Sequence, residues 1–476
     1  MGEAPTPKFG GGANETVLHP AVLVLVILSL VLFFVLPRRY VIVPIMVSMF
    51  LIPAGQQVYV AGVHLFAQRI LILVGFIRAR FMKGPNQKQV YAGGWNPIDT
   101  AFTYYVVISA AATMAQYPDA GALVNQIGFL WDYLLGYLLL RSLIQNEEDS
   151  FLVIKCFAGL MVILGAAMIY EQMKMVNLFG MLGGVNLVPE VREGKIRSQA
   201  VFQHSLTAGT FAATAIPLFF LLWKNGKAKL LSIVGIVAAT VMTNETQTST
   251  SLLTYAAGIL AVLAWPLRKK MKKVRTAIVV ALISLHLVMK APVWFLIARI
   301  DLTGSSSSYH RAELIDQFIN HFSSWWLIGT NEAYKWGLDM WDAQNMYVSV
   351  GEAGGLAALV FYILVISRSF ARIGEARKRA KNKQQQWFLW FLGAALFSNV
   401  VAFFGVNYFD QSRMAWFALI SMISACTIPL ANSGVRFKTA EGVVALQEVS
   451  APSTRESAPS DAEVEIGRST NRYLLD

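Results

Sequence analysis

Arginine side chains concentrate in two polar segments that interrupt an otherwise apolar chain. The two segments run from about 171 to 203 and from about 298 to 345, and their arginines are Arg192, Arg197, Arg299 and Arg311. A guanidinium group binds a phosphate through two parallel hydrogen bonds in a rigid fork. Several such groups in two segments predict a site for an anionic, phosphate-bearing ligand. For any single arginine, an ion pair with Glu193 or Glu313 is the alternative.

Histidines in the same two segments could move a proton or donate a hydrogen bond. His310 precedes Arg311, and the adjacent positive charge favours the neutral imidazole that a general base requires. His204 lies just before an apolar run, where it could bind phosphate or glycan or have only structural hydrogen bonds. For His310 and His321, the alternative is a place on an exposed helix face. Two carboxylates, Asp342 and Glu352, are further candidates for a base.

Composition indicates a membrane protein. Of 476 residues, 55% are hydrophobic and 14% are charged, and the mean hydropathy is +0.51. Soluble domains average about 25% charged residues. The net charge of +12 is best explained by basic loops that hold one face of the protein in the cytoplasm. Nucleic acid is therefore not an expected partner.

Thirteen apolar runs could cross a bilayer. They are 20–37, 40–53, 62–77, 98–116, 120–141, 151–170, 206–223, 230–244, 251–267, 276–297, 346–367, 386–407 and 414–431. The second and third are short and could form one broken hairpin, so we predict 12 or 13 transmembrane helices. Because lipid offers the backbone no hydrogen-bond partners, we expect an all-α, polytopic fold over residues 1–431. The Ser-, Glu- and Pro-rich tail, 432–476, is predicted to be disordered and cytoplasmic.

Basic clusters orient the predicted spans. They lie at 38–39, 78–83, 224–229, 268–275 and 371–383. Placing all of them in the cytoplasm puts both arginine-bearing segments on the outer face, and the second segment is then a long loop with a short amphipathic helix. The side of the N-terminus stays open between the counts of 12 and 13. Within an apolar run, Asp132 predicts either a functional acid or an ion pair with Arg141 or Lys155.

Four short motifs carry a family resemblance. In chain order they read IRSQAVFQHS, SSSSYHR, WWLIGT and QNMYVSVGEAGG. Over roughly residues 190–370, their order resembles the O-antigen ligase and Wzy-type polymerase superfamily of bacterial polysaccharide assembly. The resemblance implies a multi-pass protein of the bacterial inner membrane whose long outer loop covers a cavity.

The resemblance also implies the chemistry. The donor would be a glycan linked to undecaprenyl pyrophosphate, and a sugar hydroxyl on the acceptor would attack the anomeric carbon without a metal or other cofactor. By motif, Arg197 and Arg311 match the arginines that hold the pyrophosphate, and Arg299 matches less closely. The other residues that the motifs place near substrate are Arg192, His204, His321, Asn345 and Tyr347.

Gln344 stands where the ligase branch has a histidine that is thought to act as the base. Glutamine cannot accept the proton, so the base lies elsewhere or the protein is not such a ligase. We therefore expect a polymerase of exopolysaccharide or O-antigen, with a ligase as the alternative. A transporter of lipid-linked oligosaccharides is an alternative of another class. It would need internal repeats and charges at mid-membrane depth.

Overall fold

The structure is a computed structural model that describes residues 15–60, 63–81, 90–299, 307–340 and 342–428. The predicted disordered tail lies outside these residues. Within them the chain is mostly helical, with almost no sheet. The helices are α1 (Pro20–Val35), α2 (Ile42–Leu51), α3 (Ala67–Phe81), α4 (Pro97–Gln116), α5 (Ala120–Leu130), α6 (Gly136–Leu143), α7 (Glu147–Lys174), α8 (Ser205–Asn225), α9 (Lys229–Glu245), α10 (Ser249–Leu263), α11 (Met271–Val288), α12 (Ser307–Asn320), α13 (Phe322–Trp325), α14 (Met346–Arg379), α15 (Lys383–Ala402) and α16 (Ser412–Cys426).

The apolar helices fit a membrane protein. Among the described residues, five helical stretches are long and apolar enough to cross a bilayer: Pro97–Gln116, Ala120–Leu143, Glu147–Lys174, Ser205–Asn225 and Met346–Arg379. A sixth is present if Met271–Val288 and Val293–Arg299, bent by 89°, form one span. Each of the thirteen predicted runs contains part of a helix, but several of those helices are short. The helical fold is therefore confirmed, the apolar helices fit a membrane protein, and the count of 12 or 13 stays a prediction.

Two short β-hairpins were not predicted. β1 (Gln57–Val60) pairs with β2 (Val63–Phe66). Val63–Phe66, which belong to the predicted run 62–77, are therefore strand, and α3 begins only at Ala67. β3 (Glu190–Arg192) pairs with β4 (Lys195–Arg197) in the first arginine-bearing segment. Both hairpins lie outside the helices, where the backbone can satisfy its hydrogen bonds by pairing with a neighbouring strand.

Helix α8 lies at the centre of the bundle. Within its most apolar stretch of 18 residues, 94% are buried. Phe211 of α8 stacks on Phe50 of α2 with the ring centroids 4.7 Å apart, and Phe157 of α7 meets it edge-on at 5.4 Å. Aromatic pairs of this geometry add stabilisation beyond the burial of their surface. α7 and α8 are therefore firmly joined.

The second arginine-bearing segment folds onto α14. Leu314 and Phe318 of α12 are buried against Trp325 and Trp336, and Phe318 stacks on Trp325 at 3.9 Å. α14 is broken at Gly355, which has a φ of +69° that favours glycine. At that break, the backbone of this segment hydrogen-bonds to α14. This anchors the segment beside the start of α14.

Two carboxylates inside the bundle, Asp132 and Asp99, are paired with arginine side chains. Asp132 lies in a π-helical turn, Trp131–Leu135, and accepts two hydrogen bonds from Arg69 at 3.1 and 3.0 Å. Arg413 is 3.3 Å from the same carboxylate. The expected pairing of Asp132 with Arg141 or Lys155 was therefore wrong. The basic side chains that reach Asp132 come from helices α3 and α16, which are distant in sequence.

Arg141 instead pairs with Asp99, and neither side chain is exposed. Its Nε donates to Asp99 at 3.2 Å, and its Nη2 donates to the carbonyl oxygens of Ala92 and Gly94. Tyr137 donates its hydroxyl proton to the same carboxylate. This network joins α4, α6 and the segment that precedes α4.

Removing one partner would leave a buried charge without compensation. We expect Asp99→Ala to lower the free energy of unfolding by about 3–5 kcal/mol, measured as a large fall in melting temperature in detergent. Glu148→Gln is the matched control, since Glu148 pairs with Arg39 at the exposed surface and such pairs contribute about 1 kcal/mol or less. Equal melting temperatures for the two variants would contradict this prediction.

Candidate active site

A polar cavity brings the two arginine-bearing segments together. It lies at the end of the bundle where α7 ends and α8 begins, and its volume is about 230 Å³. Its lining residues are Glu190, Arg192, Arg197, His204, Leu206, Thr248, Ser249, Arg311, Asp342 and Gln344. Six of the residues singled out from the sequence are in this set: Arg192, Arg197, His204, Arg311, Asp342 and Gln344. We call this space the arginine cavity.

The β3–β4 hairpin supplies one wall of the arginine cavity. Its two-residue turn, Glu193–Gly194, has positive φ at both positions, +52° and +75°, as a type I′ turn requires. Glu190 is opposite Arg197 in the register. Because side chains alternate along a strand, Glu190, Arg192 and Arg197 share one face of the hairpin. Arg197 is only 6% exposed, and its Nη1 lies 3.9 Å from Glu190 Oε1.

The burial of Arg197 affects the pKa of its guanidinium group. It lowers the pKa of the guanidinium, and the nearby Glu190 carboxylate opposes that shift. Arginine still keeps its charge at neutral pH. A charged and mostly desolvated guanidinium, with its nearest carboxylate beyond hydrogen-bond distance, is well placed to bind an anion.

A buried carboxylate fixes the chain between Arg197 and α8. Glu171, near the end of α7, is fully buried and accepts hydrogen bonds from the backbone N–H groups of Gln199 at 3.1 Å and Ala200 at 3.0 Å. Ala200 has a φ of +49°, which is unusual for a residue with a Cβ. The carboxylate stabilises this bend by binding two successive N–H groups. Glu171 therefore fixes the backbone between Arg197, at the end of β4, and the start of α8.

His204 caps α8 at the edge of the cavity. Its Nδ1 accepts a hydrogen bond from the backbone N–H of Leu206 at 3.1 Å, so the neutral ring carries its proton on Nε2. Burial lowers the pKa of His204, and Arg197 acts in the same direction while Glu190 opposes both. The ring is therefore neutral at pH 7. Its Nε2–H is 3.9 Å from Glu190 Oε2 and can donate a hydrogen bond to a ligand oxygen.

Asp410 braces the same helix start from the other side. One of its carboxylate oxygens accepts hydrogen bonds from the Thr207 hydroxyl at 2.6 Å and from the backbone N–H of Gln203 at 3.3 Å. The Gln411 side chain donates to the carbonyl oxygen of Val201. The segment that carries His204 is thus held between α7 and the chain just before α16.

Helix α12 supplies the opposite wall. Arg311 is 7% exposed, and it lies on the buried face of α12 with Ser308, Ala312 and Leu314. This face matches the short amphipathic helix that the sequence predicts for the second segment. The Arg311 guanidinium therefore reaches the cavity from a different part of the chain than Arg197 does.

Asp342 and Gln344 complete the cavity next to the start of α14. Gln344 Nε2 donates a hydrogen bond to Asp342 Oδ2 at 2.7 Å. Gln344 therefore orients a carboxylate, which can accept a proton as the glutamine cannot.

Two helices begin at the arginine cavity. α8 starts after His204, and α10 starts at Ser249, next to Thr248. The N-terminal end of a helix carries a partial positive charge and free N–H groups that favour anions. This adds to the field of the three guanidinium groups. The acidic lining residues, Glu190 and Asp342, balance part of that charge.

Five predicted site residues lie outside the described lining of this cavity. Arg299 is exposed at the end of the short helix Val293–Arg299. His310 is next to Arg311 on α12 but is not among the described lining residues, and its Nε2 is buried. His321 donates from Nδ1 to the Gln317 carbonyl oxygen at 2.9 Å and stacks on Trp336. Direct contact of these three with a ligand in the cavity stays a prediction that the geometry does not favour.

Asn345 and Tyr347 belong to the start of α14. The Asn345 side-chain oxygen accepts from the backbone N–H groups of Tyr347 and Val348, and its Nδ2 donates to the Phe404 carbonyl oxygen. The Tyr347 hydroxyl donates to the Val400 carbonyl oxygen at 3.2 Å. Their polar atoms are thus used to cap and dock the helix. We expect them to position Asp342 and Gln344 and not to touch substrate.

Sequence reasoning missed Glu190, Leu206 and the two supporting carboxylates, Glu171 and Asp410. A signal for Glu190 was present, because EVREGKIR has a two-residue Glu-Gly turn between alternating residues, which is a hairpin pattern. The supporting carboxylates gave no such signal, since the groups that they hold at the start of α8 are far from them along the chain. Among the described residues, no three His, Cys, Asp or Glu side chains form a group that could hold a metal ion.

The Glu171 contact predicts a local effect. In Glu171→Gln, one amide oxygen replaces a carboxylate that binds two N–H groups, so the segment at Gln199 and Ala200 should loosen. We expect faster hydrogen exchange of these two amides and a loss of about 1–3 kcal/mol in the free energy of unfolding. Glu193→Gln, at the exposed hairpin turn, is the control and should change neither. Unchanged exchange in Glu171→Gln would refute the proposed role of the carboxylate.

Compared with known proteins, the chain matches no protein-family model and no curated protein.

Proposed function

We propose that the chain is an inverting glycosyltransferase that uses a lipid-pyrophosphate-linked glycan as its donor. The observation that carries this proposal is the meeting of Arg192, Arg197 and Arg311 at one cavity on the end of the bundle away from the basic clusters. The reaction would be polymerisation of an exopolysaccharide or O-antigen. In a ligase, the alternative, the same chemistry would transfer the glycan to an acceptor lipid or protein.

The charge of the cavity suits a diphosphate. Two of the guanidinium groups, Arg197 and Arg311, are almost completely buried, and electrostatic attraction is stronger where water is excluded. Carboxylates of Glu190 and Asp342 face the same space, so a ligand with positive or neutral polar groups beside its phosphates fits better than a bare polyanion. A glycosyl diphosphate has both parts.

The leaving group explains why fixed cations would accelerate the reaction. As the bond between the anomeric carbon and the phosphate oxygen breaks, its electron pair stays on the diphosphate, whose negative charge grows. Arg197 and Arg311 are held in place before the reaction, so they stabilise that charge without reorganisation. The Nε2–H of His204 can donate a hydrogen bond to the same oxygens.

Asp342 is the best-placed base. The acceptor hydroxyl attacks the anomeric carbon, and its proton passes to a carboxylate, which Asp342 offers in the cavity. Gln344 holds that carboxylate by the 2.7 Å hydrogen bond. Of the sequence candidates for the base, only Asp342 is among the described residues of the lining.

The volume of the arginine cavity limits which part of the substrate it can hold. Its volume of about 230 Å³ is below the range of about 300–1,000 Å³ that is common for drug-sized ligands. The diphosphate and the reacting end of the sugar fit such a space. The rest of the glycan and the lipid chain would lie outside it, in the aqueous phase and the bilayer.

Membrane placement follows from the basic clusters. With 12 or 13 spans and the clusters in the cytoplasm, the arginine cavity and the loop that bears α12 face outward in a multi-pass protein of the bacterial inner membrane. The partners are then the bilayer, a glycan linked to undecaprenyl pyrophosphate, and a growing polysaccharide or another acceptor. No nucleic acid is involved.

Alanine substitutions of the cavity arginines test whether these side chains bind the diphosphate. In a strain that lacks the gene, we expect Arg197→Ala and Arg311→Ala each to lower the rate of glycan transfer by about 10²–10³-fold, seen as the loss of long polysaccharide on gels. Arg299→Ala is the matched control, because Arg299 is exposed outside the cavity lining, and it should restore long chains. Normal polymer length in both cavity variants, at wild-type protein levels, would rule out this role.

Asp342 and Gln344 test the base. For Asp342→Asn we expect kcat to fall by about 10²–10⁴-fold with little change in KM, because the proton acceptor is lost and the donor site is kept. Gln344→Ala should cause a smaller fall in kcat. Transfer assays with purified protein and a lipid-diphosphate donor measure both values. A fall in donor affinity alone for Asp342→Asn would assign Asp342 to binding instead of proton transfer.

A further inference from the structure

A second cavity lies at the opposite end of α8. Its volume is about 440 Å³, and it lies between the end of α8, the start of α7 and the start of α15. α8 has 21 residues, which corresponds to a length of about 32 Å at 1.5 Å per residue. The second cavity is therefore separated from the arginine cavity by about the thickness of a bilayer core. We call it the basic-face cavity, because Lys224 and Lys383 line it and both belong to predicted cytoplasmic clusters.

The lining of the basic-face cavity combines both charges with aromatic surface. Its charged residues are Lys224, Lys383 and Glu147. Among the described residues, none of the three forms an ion pair. The aromatic wall is a stacked pair, Trp265 and Trp387, with ring centroids 3.8 Å apart.

The tryptophan pair is close to a cation. Lys224 Nζ lies 5.0 Å from the centre of the Trp387 ring, and Trp265 is buried. Tryptophan side chains at this depth favour the boundary between hydrocarbon and water. The cavity is thus located and lined like a site for a lipid headgroup.

We propose that the basic-face cavity binds the headgroup of a zwitterionic aminophospholipid, such as phosphatidylethanolamine, from the adjacent leaflet. The phosphate would lie between the amines of Lys224 and Lys383. The ammonium group would meet the Glu147 carboxylate. Phe151 and the other apolar lining residues would contact the glycerol and the first part of the acyl chains.

The charge pattern selects this ligand over its alternatives. A nucleotide or another soluble polyanion would be repelled by Glu147 and would leave the apolar wall in water. Phosphatidylglycerol has the phosphate but offers no cation to Glu147. Phosphatidylcholine has a cation that cannot donate a hydrogen bond to that carboxylate. The phosphate and the ammonium group of phosphatidylethanolamine can pair with all three charged side chains, Lys224, Lys383 and Glu147.

Native mass spectrometry of the full chain in mild detergent tests the proposal with three lipids of equal acyl chains. We expect phosphatidylethanolamine to bind about tenfold or more tightly than phosphatidylglycerol or phosphatidylcholine, as one additional charged hydrogen bond gives. Glu147→Gln should remove the preference for phosphatidylethanolamine over phosphatidylglycerol. The double variant Lys224→Ala/Lys383→Ala should weaken both by about tenfold or more.

The control is Lys229→Ala, an exposed lysine on the same face outside the described lining. It should leave all affinities unchanged. Melting temperatures equal to wild type establish that the variants are folded, and the exposed positions of both lining lysines make this the expected result. Equal affinity of the wild-type chain for the three lipids would overturn the proposal. So would unchanged phosphatidylethanolamine binding in the double lysine variant.

Discussion

The hydrogen bonds from the backbone of Gln199 and Ala200 to the buried Glu171 carboxylate are the contact on which the arginine cavity depends. They fix a bend that a residue with a side chain rarely adopts, between a hairpin that carries Arg197 and a helix that begins after His204. Neither the hairpin nor the helix alone could place these two side chains beside each other. Because α7 packs along α8, the carboxylate also ties the cavity to the most deeply buried part of the bundle.

The two cavities give the bundle two chemically different ends. At the end with the arginine cavity, three guanidinium groups and the starts of α8 and α10 create a positive field, which Glu190 and Asp342 partly balance. At the basic end, amines and one carboxylate face an aromatic wall. The helices between them are apolar, and Arg141 and Asp99, which are buried among them, form an ion pair. A lipid-linked substrate at one end and a phospholipid at the other are consistent with this division.

The sequence predicted the helical fold and the approximate position of every helix in the thirteen apolar runs. A long apolar segment in lipid has no water to bind, and a helix satisfies the hydrogen bonds of its backbone internally. It also indicated Arg192, Arg197, His204, Arg311 and Gln344, which the structure brings to one cavity. It missed the hairpins and the break at Gly355, which depend on turn geometry. It could not find the partners of Asp132 or of Glu171, because those pairings join residues that are far apart in the chain.

In the proposed reaction, Arg197 and Arg311 bind the same diphosphate. A double-mutant cycle on the binding of a short isoprenyl diphosphate, measured calorimetrically for the wild type, the two single alanine variants and the double variant, tests it most directly. Two groups on the same ligand should give a coupling energy of about 0.5–3 kcal/mol. Losses that simply add, within about 0.3–0.5 kcal/mol, would mean that the two arginines do not share a ligand.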